Sequence, residues 1–282
     1  MRKFIYLLAI IFCFISTLSI ASADSINLSK MKHISYQEVG QGKILVLIHA
    51  FPTNQHLWKP QQEGLKKHFR VITLDLWGFG KSSPVDGKAM TMTDYADEVK
   101  QLFDQLHIKK AIIGGESMGG YIALAFYKKY PDKVDGLVLS DTQSIADSEE
   151  AKAKRESTAL DVLEHGSANF INGFMPKALS PNVSEQVKEF LKQMIEKQTP
   201  NAIASALRGM ALRDDTSDIL ASSLVLILII TGNQDMLISP QQSENMHALA
   251  KNSKLVVIND AGHLSSLEQP EKWNKAVIDM FF

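Results

Sequence analysis

The sequence has almost no cysteine. Cys13 is the only one in 282 residues, and it lies in an apolar stretch near the first residue. If that stretch is removed from the mature protein, no cysteine remains. Disulfides, thiol catalysis and cysteine-bound metals would then be excluded, and we predict no metal site of another kind.

The sequence also lacks a bias in charge. Its 30 lysines and arginines are balanced by 31 acidic residues, for a formal net charge of −1. Nucleic-acid-binding proteins usually carry a basic patch or a basic excess, so we expect no nucleic-acid partner. Repeats and low-complexity tracts are absent too. The 45% of hydrophobic and 22% of charged residues are typical of a globular protein.

The first residues have the pattern of a secretory signal peptide. Arg2 and Lys3 precede an apolar run over residues 4–15, and Ala21-Ser22-Ala23 supplies the small residues of a cleavage site. The alternative is a retained membrane anchor, which needs about 20 apolar residues; hydroxyl side chains interrupt residues 16–20. We therefore predict cleavage after Ala23, export to the periplasm or the medium, and no stable membrane insertion afterwards.

Apolar runs alternate with amphipathic segments along the rest of the chain. Such alternation predicts an α/β fold with a mostly parallel central sheet flanked by helices. The predicted strands lie at residues 31–39, 44–48, 70–75, 111–113, 137–139, 224–230 and 254–258. The predicted helices lie at residues 93–107, 119–130, 240–250 and 270–282.

One segment interrupts this alternation. Residues 144–221 contain helical patterns and no convincing strand. We interpret them as a helical cap inserted into a core formed by residues 24–143 and 222–282. Large apolar side chains in the insertion are expected to face inward, where packing against the core is favoured over direct substrate contact. They are Phe170, Phe174, Met175, Met194 and Met210.

A short motif indicates catalysis by a serine. Gly115-Glu116-Ser117-Met118-Gly119 matches G-x-S-x-G, and it directly follows a predicted strand and precedes a predicted helix. That context is required of a nucleophile elbow, in which a sharp turn exposes the serine hydroxyl. An inert serine in a glycine-rich turn is the alternative, since the bare motif also occurs by chance.

A serine hydroxyl needs a base and an acid to become nucleophilic. His263 follows the predicted strand at residues 254–258 in a short loop, and Asp235 ends the loop after the preceding predicted strand. The order Ser117, Asp235, His263 is the chain order of hydrolases with this motif. Asp141, also at the end of a strand, is the rival acid.

The oxyanion of an acyl-transfer intermediate needs amide donors. In hydrolases with this motif, one is the backbone N–H of the residue after the nucleophile, here Met118. The other comes from the loop after an early strand, and we expect it to be the Phe51 N–H.

Several of these segments together resemble the α/β-hydrolase superfamily. The resemblance extends over nearly all of the predicted mature chain and is greatest for the small carboxylesterase and 3-oxoadipate enol-lactonase-like group. It implies a helical cap over the catalytic face and no cofactor. The matching segments are His49-Ala50-Phe51-Pro52, Asp75-Leu76-Trp77-Gly78-Phe79-Gly80-Lys81-Ser82, the elbow, Gly232 to Asp235, Ala261-Gly262-His263, Asp141-Thr142-Gln143 and Leu267-Glu268-Gln269-Pro270.

Two positions differ from the family pattern. Ala50 stands where the family usually has glycine, which affects how the neighbouring oxyanion donor is aimed. Trp77 replaces the usual arginine in the loop that starts at Asp75, and Asp75 is interpreted as a structural anchor of that loop.

The sequence thus predicts a serine carboxylesterase-type hydrolase acting on a small to medium ester or lactone through an acyl-enzyme intermediate. Export disfavours the enol-lactonase reaction, which in the resembling family belongs to cytoplasmic aromatic breakdown. Other triad-dependent enzymes stay open, namely a C–C bond hydrolase, a peptidase or a cofactor-free perhydrolase. So does a ligand-binding protein with the same fold.

Overall fold

The computed structural model describes residues 32–282, and within this range seven strands form one sheet in the order β1-β3-β2-β4-β5-β6-β7. β1 runs antiparallel to β3, and the other neighbours are parallel. The predicted α/β class is confirmed. The strands are β1 Tyr36–Val39, β2 Lys43–Ile48, β3 Phe69–Leu74, β4 Ala111–Glu116, β5 Val134–Ser140, β6 Leu226–Gly232 and β7 Ser253–Ile258.

The central strands are apolar because helices cover both faces of the sheet. β4 is buried along its whole length, and β2, β5 and β6 are buried over most of theirs. β1 lies at the edge of the sheet, pairs only with β3, and none of its residues is fully buried. β6 begins two residues later than predicted, because Leu224 is 87% exposed and lies outside the sheet.

Eleven α-helices accompany the sheet in the described range. One face packs against α2 and α3, and the other against α1 and α11, where Trp58 and Trp273 contact each other. The helices are α1 Lys59–Leu65, α2 Met92–Gln105, α3 Met118–Lys129, α4 Glu149–His165, α5 Ala168–Ala178, α6 Glu185–Glu196, α7 Pro200–Ala211, α8 Ser217–Ser222, α9 Pro240–Leu249, α10 Ser265–Glu268 and α11 Pro270–Phe281.

The segment between β5 and β6 is entirely helical or irregular, as predicted. It contains α4 to α8; α4 packs on α7, and α5 packs on α6. Residues 32–282 pack as one compact unit, so the division into core and cap stays a prediction.

The predicted signal peptide, residues 1–23, lies outside the described residues, and export also stays a prediction. Between Lys32 and Phe282, no helix combines the length and apolar character that a membrane span requires.

Candidate active site

Ser117 occupies a sharp turn between β4 and α3. Its backbone has φ 55° and ψ −116°, a conformation that L-residues rarely adopt, and it forms the N-cap of α3. The Ser117 N–H donates to the Ser140 carbonyl at 2.8 Å, which ties the turn to the end of β5. The predicted strand–turn–helix context of the motif is therefore present.

The two glycines of the motif are required by close packing. A Cβ at Gly115 would lie 2.1 Å from the Gly119 carbonyl group, and a Cβ at Gly119 would lie 2.1 Å from the Ile48 carbonyl oxygen. Both contacts are with backbone, which cannot move aside easily. The turn can form at this position only because neither residue has a side chain.

The three residues predicted to act together are hydrogen-bonded in a row. His263 follows β7, and its Nε2 lies 2.7 Å from Ser117 Oγ. Its Nδ1 lies 2.8 Å from Asp235 Oδ2, and all three residues are buried. The structure thus brings an acid, an imidazole and a hydroxyl into the geometry of a catalytic triad.

The second oxygen of Asp235 is also occupied. Oδ1 accepts hydrogen bonds from the backbone N–H groups of Leu237 and Ile238 at 2.8 and 2.9 Å. These bonds fix the carboxylate so that Oδ2 faces the imidazole. Burial lowers the pKa of His263, but the neighbouring Asp235 carboxylate outweighs this effect, so the pKa lies above its ordinary value of 6.5.

Asp141, the rival acid, forms no hydrogen bond with His263. Its Oδ1 accepts from the Gly232 N–H at 2.7 Å, and its Oδ2 accepts from the hydroxyls of Ser140 and Ser265. Burial, together with the nearby Asp235 carboxylate, raises the pKa of Asp141 to about 7. The geometry therefore assigns the acid position to Asp235 and a bridging position to Asp141.

Glu116 is a third buried carboxyl group at this site, and the sequence reasoning missed it. It is fully buried behind the elbow and accepts hydrogen bonds from the Ser266 N–H at 3.1 Å and the Ser266 hydroxyl at 2.7 Å. Burial and the charge of Asp141 raise its pKa well above the usual range. Its position inside G-x-S-x-G, at the end of a buried strand, was the available signal.

The two amides predicted to bind the oxyanion are those of Phe51, which follows β2, and Met118, which begins α3 directly after Ser117. Neither amide donates a hydrogen bond to another group within residues 32–282. Free amides beside a nucleophile are the feature an oxyanion hole requires.

The hydrogen bonds of Ala50 explain how the chain accommodates alanine where the family usually has glycine. Its carbonyl oxygen accepts from the Thr53 N–H at 2.9 Å, from Thr53 Oγ1 at 2.7 Å and from His49 Nδ1 at 2.9 Å. The Phe51 N–H belongs to the same planar peptide unit and points the opposite way. These bonds hold the orientation of the Phe51 amide without a glycine at position 50.

Asp75 and Trp77 lie in the loop after β3 and form hydrogen bonds that hold it in place. Asp75 accepts from the Gln55 N–H, the Gln55 amide group and the Lys81 N–H, each at 2.9 Å, which is the anchoring geometry expected of it. The backbone N–H of Trp77 donates to the buried Glu98 carboxyl group at 3.0 Å. Trp77 does not line the cavity over Ser117.

A cavity of about 720 Å³ lies over Ser117 and His263. Most of its wall comes from α4, α5 and α7. Of the five apolar side chains expected to face inward, Phe170, Phe174 and Met210 line this cavity, whereas Met175 and Met194 pack in the core. Its lining residues are Phe51, Ser117, Tyr121, Ala151, Lys154, Arg155, Ser157, Thr158, Asp161, Asn169, Phe170, Gly173, Phe174, Lys177, Leu207, Met210, Leu237, Ile238 and His263.

The part of the chain that the structure describes contains no group of three or more histidine, cysteine or acidic side chains arranged to hold a metal ion.

Comparison with known proteins places this geometry in a family. Residues 43–191 match the family model of the alpha/beta hydrolase fold. The chain belongs to the α/β-hydrolase family. An AB hydrolase superfamily protein of Bacillus subtilis is 30% identical over 266 residues, covering 86% of this chain and 92% of the relative.

Two further members of the α/β-hydrolase family carry more specific names. A thermophilic esterase from Thermogutta terrifontis, solved with malate bound, is 36% identical to this chain. The structural alignment covers 88% of this chain and 92% of the esterase, with a TM-score of 0.86. 3-Oxoadipate enol-lactonase 1 of Acinetobacter baylyi is 28% identical over 232 residues, with coverages of 81% and 85%. The resemblance seen in the sequence is confirmed, and the family is one of hydrolases.

Proposed function

We propose that this chain is a serine hydrolase that cleaves a carboxylic ester or lactone through an acyl-enzyme intermediate. The observation that carries the proposal is the row of hydrogen bonds from Asp235 through His263 to Ser117 Oγ. A neutral imidazole that accepts at Nε2 and donates at Nδ1 to a carboxylate is the base that a serine nucleophile needs.

The first half of the reaction transfers the acyl group to the enzyme. Ser117 Oγ attacks the ester carbonyl carbon while His263 Nε2 takes the hydroxyl proton, and Asp235 stabilises the imidazolium that forms. The carbonyl oxygen becomes an oxyanion that accepts from the Phe51 and Met118 amides. The C–O bond of the leaving group then breaks, and His263 passes its proton to the departing alkoxide.

The second half releases the acid. Water enters the position vacated by the alcohol, His263 takes one of its protons, and the resulting hydroxide attacks the acyl carbon. Collapse of the second tetrahedral intermediate returns the proton to Ser117 and frees the carboxylic acid. In a lactone the leaving alcohol stays attached to the acyl part, so one product with both groups forms.

The class of bond is proposed from the cavity and from the relatives together. The cavity of about 720 Å³ admits a small to medium substrate. The relatives named above include an esterase and an enol-lactonase.

Hydrolysis of p-nitrophenyl esters from acetate to laurate tests the proposal, with wild type compared to Ser117→Ala. We expect turnover to fall about 10³-fold or more in Ser117→Ala. Ser222→Ala is the matched control, since Ser222 is exposed on α8 and bonds only to backbone of its own helix. Wild type that is inactive on every ester, or Ser117→Ala that keeps full activity, would contradict the proposal.

A further inference from the structure

Two arginines share one carboxylate beside the candidate active site. Asp147 is ion-paired with Arg155 and, at 2.7 Å, with Arg213 Nη1. The Asp147 and Arg213 side chains are only 5% and 4% exposed, whereas Arg155 is 22% exposed. Burial raises the pKa of Asp147, but the two guanidinium groups outweigh that effect and hold the pKa below its ordinary value. The cluster therefore carries two positive charges and one negative charge.

Arg155 lines the cavity and has one guanidinium nitrogen, Nη1, that does not bond to Asp147. Asp147 occupies the Nε and Nη2 side of the group. Nη1 contacts only the Met210 sulfur, at 3.4 Å, among the described residues. Thioether sulfur is a weak acceptor, so the Nη1 hydrogens still need an oxygen partner. Arg155 and Met210 both line the cavity above Ser117.

Two of the three other charged side chains on the cavity wall, apart from His263, are also positive. Lys154 and Lys177 also line it and form no ion pair within residues 32–282, while Asp161 is paired with His165. Three cationic side chains and one anionic side chain thus face the same space. Such a wall attracts an anionic substrate and strengthens its binding because the cavity partly excludes water.

Tyr121 contacts one of the two arginines and lines the same cavity as Ser117. It lies one helical turn after Ser117, since its N–H donates to the Ser117 carbonyl at 3.3 Å, and its side chain lines the cavity. The Arg213 guanidinium lies over the Tyr121 ring at 4.3 Å. Tyr121 therefore contacts Arg213 on one side and lines the cavity that Ser117 and Arg155 share on the other. Because Ser117 and Arg155 line the same cavity of about 720 Å³, a small substrate can contact both of them.

We infer that Arg155, supported by Asp147 and Arg213, binds a free carboxylate of the substrate, so that the preferred substrates are half-esters or carboxyl-bearing lactones derived from short dicarboxylic acids. The inference rests on the proposed ester or lactone hydrolysis and adds the class of acyl group. A guanidinium binds a carboxylate through two parallel N–H bonds, which lysine cannot reproduce. The neutral end of the substrate would then lie at Ser117.

Kinetics with charged and neutral ester pairs test the inference. Monoethyl and diethyl esters of succinate, glutarate and adipate are compared on wild type, Arg155→Met and Arg155→Lys. We expect wild type to prefer the monoesters, and Arg155→Met to lower kcat/KM for the monoesters about 10- to 100-fold with the diesters changed less than about threefold. Arg155→Lys should recover only part of the loss.

Lys152→Met is the matched control for loss of one positive charge from the same helix. Lys152 lies on α4, pairs with Glu149 and does not line the cavity. We expect it to leave both ester classes unchanged. A parallel loss for monoesters and diesters in Arg155→Met, or a wild-type preference for diesters, would overturn the inference.

Calorimetric titration separates this inference from the proposed function. Glutarate and its diamide, glutaramide, are titrated into Ser117→Ala with and without Arg155→Met. The inference requires that glutarate binds, that glutaramide binds more weakly, and that Arg155→Met abolishes the difference. If glutarate fails to bind while wild type hydrolyses diesters, the inferred carboxylate site is overturned and the proposed function stands. Absence of all ester hydrolysis would overturn the proposed function. Glutarate titration would still show whether Arg155 binds a carboxylate.

Discussion

Asp141 accepts a hydrogen bond at 2.7 Å from the backbone N–H of Gly232, which ends β6 three residues before Asp235. Asp141 also accepts from the hydroxyl of Ser265, two residues after His263. Asp141, which is not hydrogen-bonded to the imidazole, therefore connects the end of β6, just before Asp235, with the start of α10, just after His263. Asp235 thus bonds to the imidazole of His263, whereas Asp141 bonds to the segments that flank the two residues.

The two acids should respond differently to removal of their charge. Asp235→Asn leaves the imidazole in the wrong tautomer, and we expect kcat to fall about 10⁴-fold. Asp141→Asn keeps an oxygen for the Gly232 N–H and an amide for the Ser265 oxygen, so we expect a loss below about tenfold. Steady-state kinetics on the preferred p-nitrophenyl ester measure both. A larger loss in Asp141→Asn than in Asp235→Asn would reverse the assignment of the acid.

The activity should depend on pH through His263. Only the neutral imidazole accepts a proton from Ser117, and the pKa of His263 lies above 6.5 because of the Asp235 carboxylate. Activity is therefore present at higher pH and is lost as the pH falls through that pKa. We expect the midpoint of the acid limb of kcat/KM, measured from pH 4 to 9, to lie above 6.5. A profile that stays flat down to pH 4 would contradict the role of His263 as base.

The glycines of the chain should differ in their tolerance of a methyl group. Gly119→Ala places a Cβ 2.1 Å from the Ile48 carbonyl oxygen, so we expect loss of activity and a free energy of unfolding lower by at least about 1–3 kcal/mol. Gly173→Ala, inside α5, meets nothing within 4 Å and should stabilise the protein by about 0.5–1 kcal/mol. Chemical denaturation of both variants checks this pair. Equal stability of the two variants would contradict the packing of the elbow.

Asp141 should also make stability depend on pH. Its pKa is about 7 in the folded protein and about 3.8 when unperturbed, so between these values the folded state holds the proton that the unfolded state has lost. This contribution to stability is fully present below pH 3.8 and is lost as the pH rises toward 7. Each pKa unit corresponds to about 1.4 kcal/mol.

Asp141→Asn removes this titration. Compared with wild type, we expect its free energy of unfolding to fall less between pH 4 and 7, by on the order of a few kcal/mol. Urea denaturation at several pH values measures the difference. Parallel pH dependences for the two proteins would show that Asp141 titrates normally.

Local patterns in the sequence predicted most of the fold. The apolar runs at β2, β4 and β6 were found because strands buried on both faces need no polar residues. Strand ends were less certain: β1 begins at Tyr36 rather than at residue 31, since pairing with β3 rather than composition sets its start. The residues of the row Ser117, His263 and Asp235 were found through their order along the chain.

The groups that sequence reasoning missed owe their position to contacts distant in the chain. Glu98 lies three residues after the buried Tyr95 on α2, but only the approach of the Trp77 amide makes a buried carboxyl group tolerable there. Arg155 and Arg213 are 58 residues apart, and both read as ordinary surface charges. They meet at Asp147 because α4 packs on α7, which the sequence alone does not show.

Four different strands deliver the groups around Ser117. Phe51 follows β2, Ser117 follows β4, Asp235 follows β6 and His263 follows β7. The chain between the first and the last of these residues includes five of the seven strands. Catalytic turnover therefore reports on the whole tertiary structure: denaturant should abolish it together with the global unfolding signal, and no peptide fragment shorter than residues 51–263 can retain it.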